Sequence, residues 1–286
     1  MSAISLSARR GRRLPRGGTV LKHLILAAVA VVIAFPFYWM LTTALKSFFE
    51  ATLFPPTLFP AEAHPENFAQ AWEAAPWGRY FANTVIITVL VTFGEITTAV
   101  LAAYAFARMR FRGKQLIFML FLATLMIPSE ATLIPNFVLV TKYLRWSNTL
   151  QAQIVPFLAS AFSIFLLRQH FLSIPNELAD AARIDGAGHL RFLRSIVLPL
   201  SVPVLVTVAL IQGIGVWDSF LWPLLVTSSD SVRPIQVGMS QFRTEFGAQY
   251  HLEMAAATFV IAPIVLVFLV AQRHLIQGVA RTGIRG

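Results

Sequence analysis

Apolar positions in this chain run together in blocks of 18 residues or more, parted by short polar segments. That pattern belongs to a polypeptide solvated by lipid, since a hydrocarbon layer about 30 Å thick takes about 20 apolar residues to cross as a helix. Six blocks predict six transmembrane helices: Leu24–Leu45, Phe81–Ala107, Leu116–Thr141, Leu150–Leu167, Pro199–Val226 and Met254–Ala271. The expected fold is an all-α membrane protein. It is organised as a basic tail (1–23), a first helix (24–45), an outer loop (46–80), a five-helix core (81–271) with a polar loop at 172–198, and a closing tail (272–286).

Between the first two helices, Pro55, Pro56, Pro60, Pro65 and Pro76 predict irregular backbone with one short helix near Asn67–Ala74. Phe48, Phe49, Phe54, Phe59, Trp72 and Trp77 in this segment fit an aromatic belt at the membrane interface. A docking surface for an external protein would carry the same residues.

Composition supports the membrane reading. Hydrophobic residues make up 57% of the chain and charged residues 13%, where a soluble domain carries about a quarter. The mean hydropathy is +0.68. A net charge of +10 raises the question of nucleic acid, but the basic residues sit at the ends of apolar runs rather than along one polar stripe. Alternating the six helices puts 17 of the 23 Lys and Arg residues on one side, in the N-terminal segment, Arg108–Lys114, Arg168–Val197 and Gln272–Gly286. The positive-inside rule makes that side the cytosol and places both termini there. Arg9, Arg10, Arg12, Arg13 and Arg16 before an apolar run could also open a secretory signal. The run Leu24–Leu41 is longer than a usual signal core, so a retained helix is expected. The absence of cysteine excludes disulfides and thiolate metal sites.

The polar loop has its own pattern. Pro175 suits a helix start, Glu177 lies near the positive end of that helix, and Leu178, Ala181, Ala182 and Asp185 share one face by spacing. Asp185-Gly186-Ala187-Gly188 then makes a turn, and a second amphipathic stretch, Leu190–Val197, leads into Leu198-Pro199. The product is a helix–turn–helix bracket beneath the membrane. Composition alone favours an ordinary cytosolic loop.

The bracket resembles the E-A-A loop of integral-membrane subunits of binding-protein-dependent ABC importers, in the carbohydrate-uptake branch. That motif reads E-A-A, three residues, G, nine residues, I-x-L-P. Here Asp180-Ala181-Ala182, Gly186 and Ile196-Val197-Leu198-Pro199 fill the slots, with Asp180 in place of Glu. Ala102–Arg108, Phe111–Lys114, Met126-Ile127-Pro128, Leu133-Ile134-Pro135, Phe165–Gln169, Leu221–Leu224 and the closing Gln272-Arg273…Gly278…Gly283…Gly286 are similar to the same branch. Where that branch usually shows Trp-Asn-Asp, this chain has Trp217-Asp218-Ser219. The resemblance implies a type I ABC importer permease fold whose bracket is a coupling helix seated on a separate ATPase. It assigns coupling to Glu177, Asp180, Ala181, Ala182, Asp185, Gly186, Ile196, Leu198 and Pro199. The implied partners are a second, homologous permease, two ATPase copies that hold the ATP and magnesium, an external solute-binding protein, and lipid. No cofactor is expected on this chain.

The residues present agree with a transport subunit. No G-x-x-x-x-G-K-[ST] phosphate loop occurs, and the six histidines have neither i, i+4 partners nor adjacent carboxylate clusters. Three acids fall inside expected spans, Glu95, Glu130 and Asp218. Each must face protein or water, since a charge at the bilayer centre costs about 3 kcal/mol or more. Glu95 is expected to bond neighbouring helices. Glu130, beside a helix break expected at Pro128, and Asp218, beside Trp217, Phe220 and Trp222, could instead line a substrate path. The expected function is uptake of a di- or oligosaccharide or related polyol; glycerol 3-phosphate is the alternative. An ion-coupled transporter is a more distant one, and the chain shows no internal repeat of the kind common there.

Overall fold

The computed structural model describes residues 16–246 and 249–282. Every regular element among them is helical. In chain order they are α1 (Arg16–Ala44), α2 (Phe48–Thr52), α3 (Glu66–Glu73), α4 (Trp77–Arg108), α5 (Lys114–Thr124), α6 (Ser129–Val138), α7 (Leu150–Ile154), α8 (Ala161–Ser173), α9 (Asn176–Ile184), α10 (His189–Phe192), α11 (Leu198–Trp217), α12 (Leu221–Val226), α13 (Ile235–Phe246) and α14 (Tyr250–Thr282). The chain divides into two compact units, one of residues up to 68 with 249–255, the other of 69–248 with 256 onward.

In the first unit, the side chains of α1 are exposed from Thr19 to Phe37. The loop that follows is fastened by buried polar groups. Glu50 accepts from Thr57 Oγ1 (2.8 Å) and the Ala61 amide (3.0 Å). Lys46, also buried, donates to the Thr57 carbonyl and lies 4.8 Å from the Trp39 ring. Asn67 Nδ2 bridges the carbonyls of Ala44 and Lys46, both at 2.9 Å. The expected irregular loop is therefore ordered, and its short helix lies where the prolines leave room for one.

The second unit is built around α4, which packs chiefly against α8 and α11. Gly94 lets the loop ahead of α8 come close to α4, because a Cβ there would run into the Leu158 side chain. The core at this end of α4 gathers Ala99, Ala103, Tyr104, Phe106, Leu167, Phe171, Phe192 and Val197.

Four helical stretches are long and apolar enough to span a bilayer: Thr19–Ala44, Trp77–Arg108, Leu150–Ser173 and His189–Trp217. A fifth candidate is the pair Lys114–Thr124 and Ser129–Tyr143, bent by 95°. The sixth expected span starts in the shorter apolar helix Tyr250–Leu266, and beyond Leu269 the side chains lie outside the described residues, as do the tails 1–15 and 283–286. The count of six is thus matched by four or five.

Proline explains most departures from straight spans. Pro128 closes the bend before α6, where the residue ahead of a proline leaves the helical region. Pro135 precedes a π-turn at Leu139–Tyr143, and the π-turn at Leu193–Val197 immediately precedes Pro199, with the Leu198 amide reaching back to the Leu193 carbonyl. The expected single helix Pro199–Val226 is corrected: it stops at Trp217 and restarts at Leu221. Pro223 has no amide to donate to the Ser219 carbonyl and its ring crowds that group, which favours the break, and it sits in the first turn of α12, where no amide is needed. The expected Leu150–Leu167 helix is likewise interrupted, by the turn Val155–Phe157 around Pro156 and a loop to Ser160.

Candidate functional site

The bracket is a well-formed motif. α9 ends in a Schellman cap: the Ala187 amide donates to the Ala182 carbonyl (2.8 Å) and the Gly186 amide to the Arg183 carbonyl (3.0 Å). Gly186 has φ +75°, a conformation that costs other residues about 1–2 kcal/mol. α10 then continues through the π-turn into α11, so the second arm of the bracket and the span after it form one stretch, His189–Trp217.

Arg108, at the end of α4, fixes the bracket from behind. Its Nη1 donates to Asn176 Oδ1 (2.6 Å), and its Nη2 donates to the Phe171 carbonyl (2.6 Å) and the Ile174 carbonyl. Tyr104, one turn earlier, has its hydroxyl 3.0 Å from His189 Nδ1. One guanidinium therefore ties the last turn of α8 and the first residue of α9 to α4. Between these parts lies a hollow of 880 Å³ whose lining includes Arg108, Arg110, Lys114, Asp180 and Arg183.

Burial divides the expected bracket face in two. Leu178, Ala181 and Asp185 point outward, as do Glu177 and Asp180, and Ile184 is 87% exposed. Ala182 does not share that face: it is buried against the core with Ala179 and Ala187. The expected face is corrected accordingly: Ala182 stands about 40° from Leu178 but about 100° from Ala181, at the edge of the stripe, where it turns toward the core. Asp180 pairs with Arg183 at 3.1 Å, both exposed. Ile196 and Leu198 pack partly against the core and Pro199 is exposed in the first turn of α11.

A second feature lies within the apolar part of the same unit. A cavity of 340 Å³ opens among α4, α7, α11 and α12, lined by Thr84, Gln153, Ser160, Gln212, Ser219 and Trp222 among others. Beside it, Glu95 is fully buried and accepts from Ser163 Oγ (2.6 Å) and from Gln212 Nε2. Trp222 is buried and donates its indole N–H to the Ala152 carbonyl (2.9 Å). Of the residues expected on a path, only Trp222 lines this cavity. Asp218 is exposed past the end of α11, 3.4 Å from Gln236 Nε2; Trp217 lies near Phe81 with the two rings tilted by 53°; Phe220 and Glu130 are exposed. The sequence reading passed over Gln153 and Gln212. Amides in the middle of apolar runs were the available signal, since such groups need partners inside the protein.

The rim near the cavity is laced by side-chain amides. Asn83 Nδ2 donates to the carbonyls of Ser231 (3.1 Å) and Arg233 (2.9 Å), and Gln153 Nε2 to that of Val232 (3.0 Å). Asn148, at φ +57°, accepts from the amides of Ser228 (2.9 Å) and Ser229 (3.0 Å).

An all-helical membrane domain with broken spans, an inner cavity and a clamped polar bracket is the build of a transport permease. The chain belongs to the binding-protein-dependent transport system inner membrane component family, which matches residues 95–281. It is 33% identical over 261 residues to the probable ABC transporter permease protein YurM of Bacillus subtilis, covering 90% of this chain and 85% of that one. It is 34% identical over 271 residues to the sn-glycerol-3-phosphate transport system permease protein UgpE of Yersinia enterocolitica, covering 92% and 96%. It is 35% identical over 222 residues to the arabinooligosaccharides transport system permease protein AraQ of Halalkalibacterium halodurans, covering 77% and 79%. Among solved structures, a bacterial ABC transporter involved in the import of the acidic polysaccharide alginate shares the fold, with a TM-score of 0.81 at 22% identity over 92% of this chain and 99% of that one. The chain is thus a permease subunit of the inner membrane, and the ATPase is a separate polypeptide.

Proposed function

We propose that this chain is one of two homologous permeases in an ATP-driven importer of a neutral di- or oligosaccharide or related polyol. In this reading a pair of ATPase subunits, holding ATP and magnesium, docks beneath it, an external binding protein delivers the cargo, and both termini are cytosolic. The observation that carries it is the bracket: a capped helix clamped to α4 by Arg108, presenting Glu177, Leu178, Asp180, Ala181, Ile184 and Asp185 outward. An exposed apolar side chain such as Ile184 on a polar segment suits a protein partner, and the flanking carboxylates suit basic groups on it. Gly186 makes the bend; Ala182, Ile196, Leu198 and Pro199 act behind that surface by joining it to α11.

Glycerol 3-phosphate remains a second reading because a permease for it is among the relatives. The inner cavity, whose wall carries no Lys or Arg among the described residues, favours the neutral cargo. The test is purification from mild detergent of the wild type, Gly186→Asn and Gly186→Val. An ATPase should co-purify with the wild type. Uptake should survive in Gly186→Asn, since Asn tolerates positive φ, and fall at least about tenfold in Gly186→Val, which combines strain with bulk at the proposed contact. Homogeneous protein that transports with no ATPase present would refute the reading.

A further inference from the structure

The 340 Å³ cavity is near the lower end of ligand-site volumes, about 300–1,000 Å³, so it suits one ring rather than a chain of rings. Its wall carries no Lys, Arg, Asp or Glu among the described residues. What it does carry is hydroxyl and amide chemistry: Thr84, Gln153, Ser160, Gln212 and Ser219. Trp222 and Phe157 supply an apolar side, their rings set edge to face at 5.9 Å.

Gln153 is the informative member. It is only 2% exposed, its Nε2 is committed to the Val232 carbonyl, and its Oε1 has no hydrogen-bond partner. A buried amide oxygen left unpaired is unfavourable by about 1–3 kcal/mol, a cost that a ligand hydroxyl donating to it would offset. Gln212 is held on its donor side by Glu95, which fixes the direction of its remaining acceptor. A wall with oriented acceptors, hydroxyls and one aromatic face recognises a polyhydroxylated ring. A phosphate would instead call for the charge-assisted donors of Arg or Lys, and burying it without them would be strongly unfavourable.

We propose that this cavity is a subsite for one uncharged pyranose ring of the transported molecule, so that this permease itself contacts cargo rather than leaving recognition to its partner. The proposal rests on the importer reading above and narrows its substrate class.

The chain has no cysteine, so Ser219→Cys places a sole thiol in the cavity wall. The rate of its modification by a small methanethiosulfonate reagent is measured in the purified complex with its co-purified ATPase. The probes are methyl pyranosides of glucose, galactose, mannose, xylose and arabinose, with glycerol 3-phosphate as the charged comparison. At least one methyl pyranoside should slow modification, by about threefold at twice its dissociation constant, while glycerol 3-phosphate has no effect. Adding Gln153→Leu should weaken that protection about fivefold, and Thr84→Ser, which keeps its hydroxyl, should leave it in place. An inert thiol, equal or better protection by glycerol 3-phosphate, or no protection by any pyranoside overturns the subsite. Because the complex already contains the ATPase, those results would leave the importer reading standing; absence of the ATPase would remove that reading instead.

Discussion

Glu95 sits within the 32-residue apolar helix α4 and is fully buried, yet both carboxylate oxygens are engaged, one by Ser163 and one by Gln212. It joins three helices, as the expectation of helix-to-helix bonding requires. Asp230 shows the same economy outside the spans. It accepts from the Tyr80 hydroxyl (2.8 Å) and pairs with Arg233 (2.7 Å). The hydrogen bond, then the Arg233 charge, hold its carboxyl below the usual aspartate range. These contacts exist only in the folded chain. Their stabilisation is therefore complete above the ordinary aspartate pKa, about 3.9, and is lost as pH falls through the depressed value. Acid unfolding of the detergent-solubilised protein should show an extra loss of stability in that window, and Asp230→Asn should abolish it; superimposable acid profiles would contradict the assignment. At this scale the sequence was a partial guide. It showed that Glu95, Glu130 and Asp218 were unusual, but spacing cannot say whether a polar group in an apolar run faces a neighbour, a cavity or the exterior. Asp218 and Glu130 proved exposed, and the cavity is lined by uncharged amides and hydroxyls that hydropathy barely registers.

Among the elements, those set by long periodicity were legible and those set by proline were only partly so. The first two spans and the bracket fall where apolar runs, Pro175 and the turn at Gly186 place them. The break near Pro128 was visible too. The break at Asp218–Phe220 was not, because its cause, Pro223, lies five residues beyond Asp218 inside an equally apolar run. α13 was missed altogether: its 12 residues are not apolar enough for a span, although Pro234 before it and Gly247 after it were the available signals. The clamp on α9 was also invisible, since Arg108 and its acceptors Phe171, Ile174 and Asn176 are more than 60 positions apart. Arg108→Ala should lower the melting temperature and, more tellingly, reduce transport per ATP hydrolysed by several-fold. Arg108→Lys should rescue little, because an ammonium cannot reproduce the planar fork that reaches three acceptors. Unchanged coupling in both variants would show that the clamp is only structural.

For the molecule as a whole, membrane class and family were readable from hydropathy and one loop motif, and four or five of the six expected spans are matched among the described residues. The distribution of basic residues predicts that the bracket is cytosolic and the loop after α1 external. Phe54 is 93% exposed and Leu190 73% exposed, so each can carry a lone cysteine. An impermeant maleimide should label Phe54→Cys in intact spheroplasts and Leu190→Cys only after permeabilisation. The reverse pattern would invert the topology and detach the bracket from any cytosolic ATPase.

Three acceptors on one guanidinium have a mechanical consequence. α9 cannot be displaced without dragging the foot of α8 and the foot of α4 along with it, and α11 follows through its unbroken passage from His189. Thrust delivered from below would thus turn α8, α9, α11 and the foot of α4 together, and the 340 Å³ cavity would open or shut as a jaw does where α4 and α11 face α7 and α12, which lie outside that block.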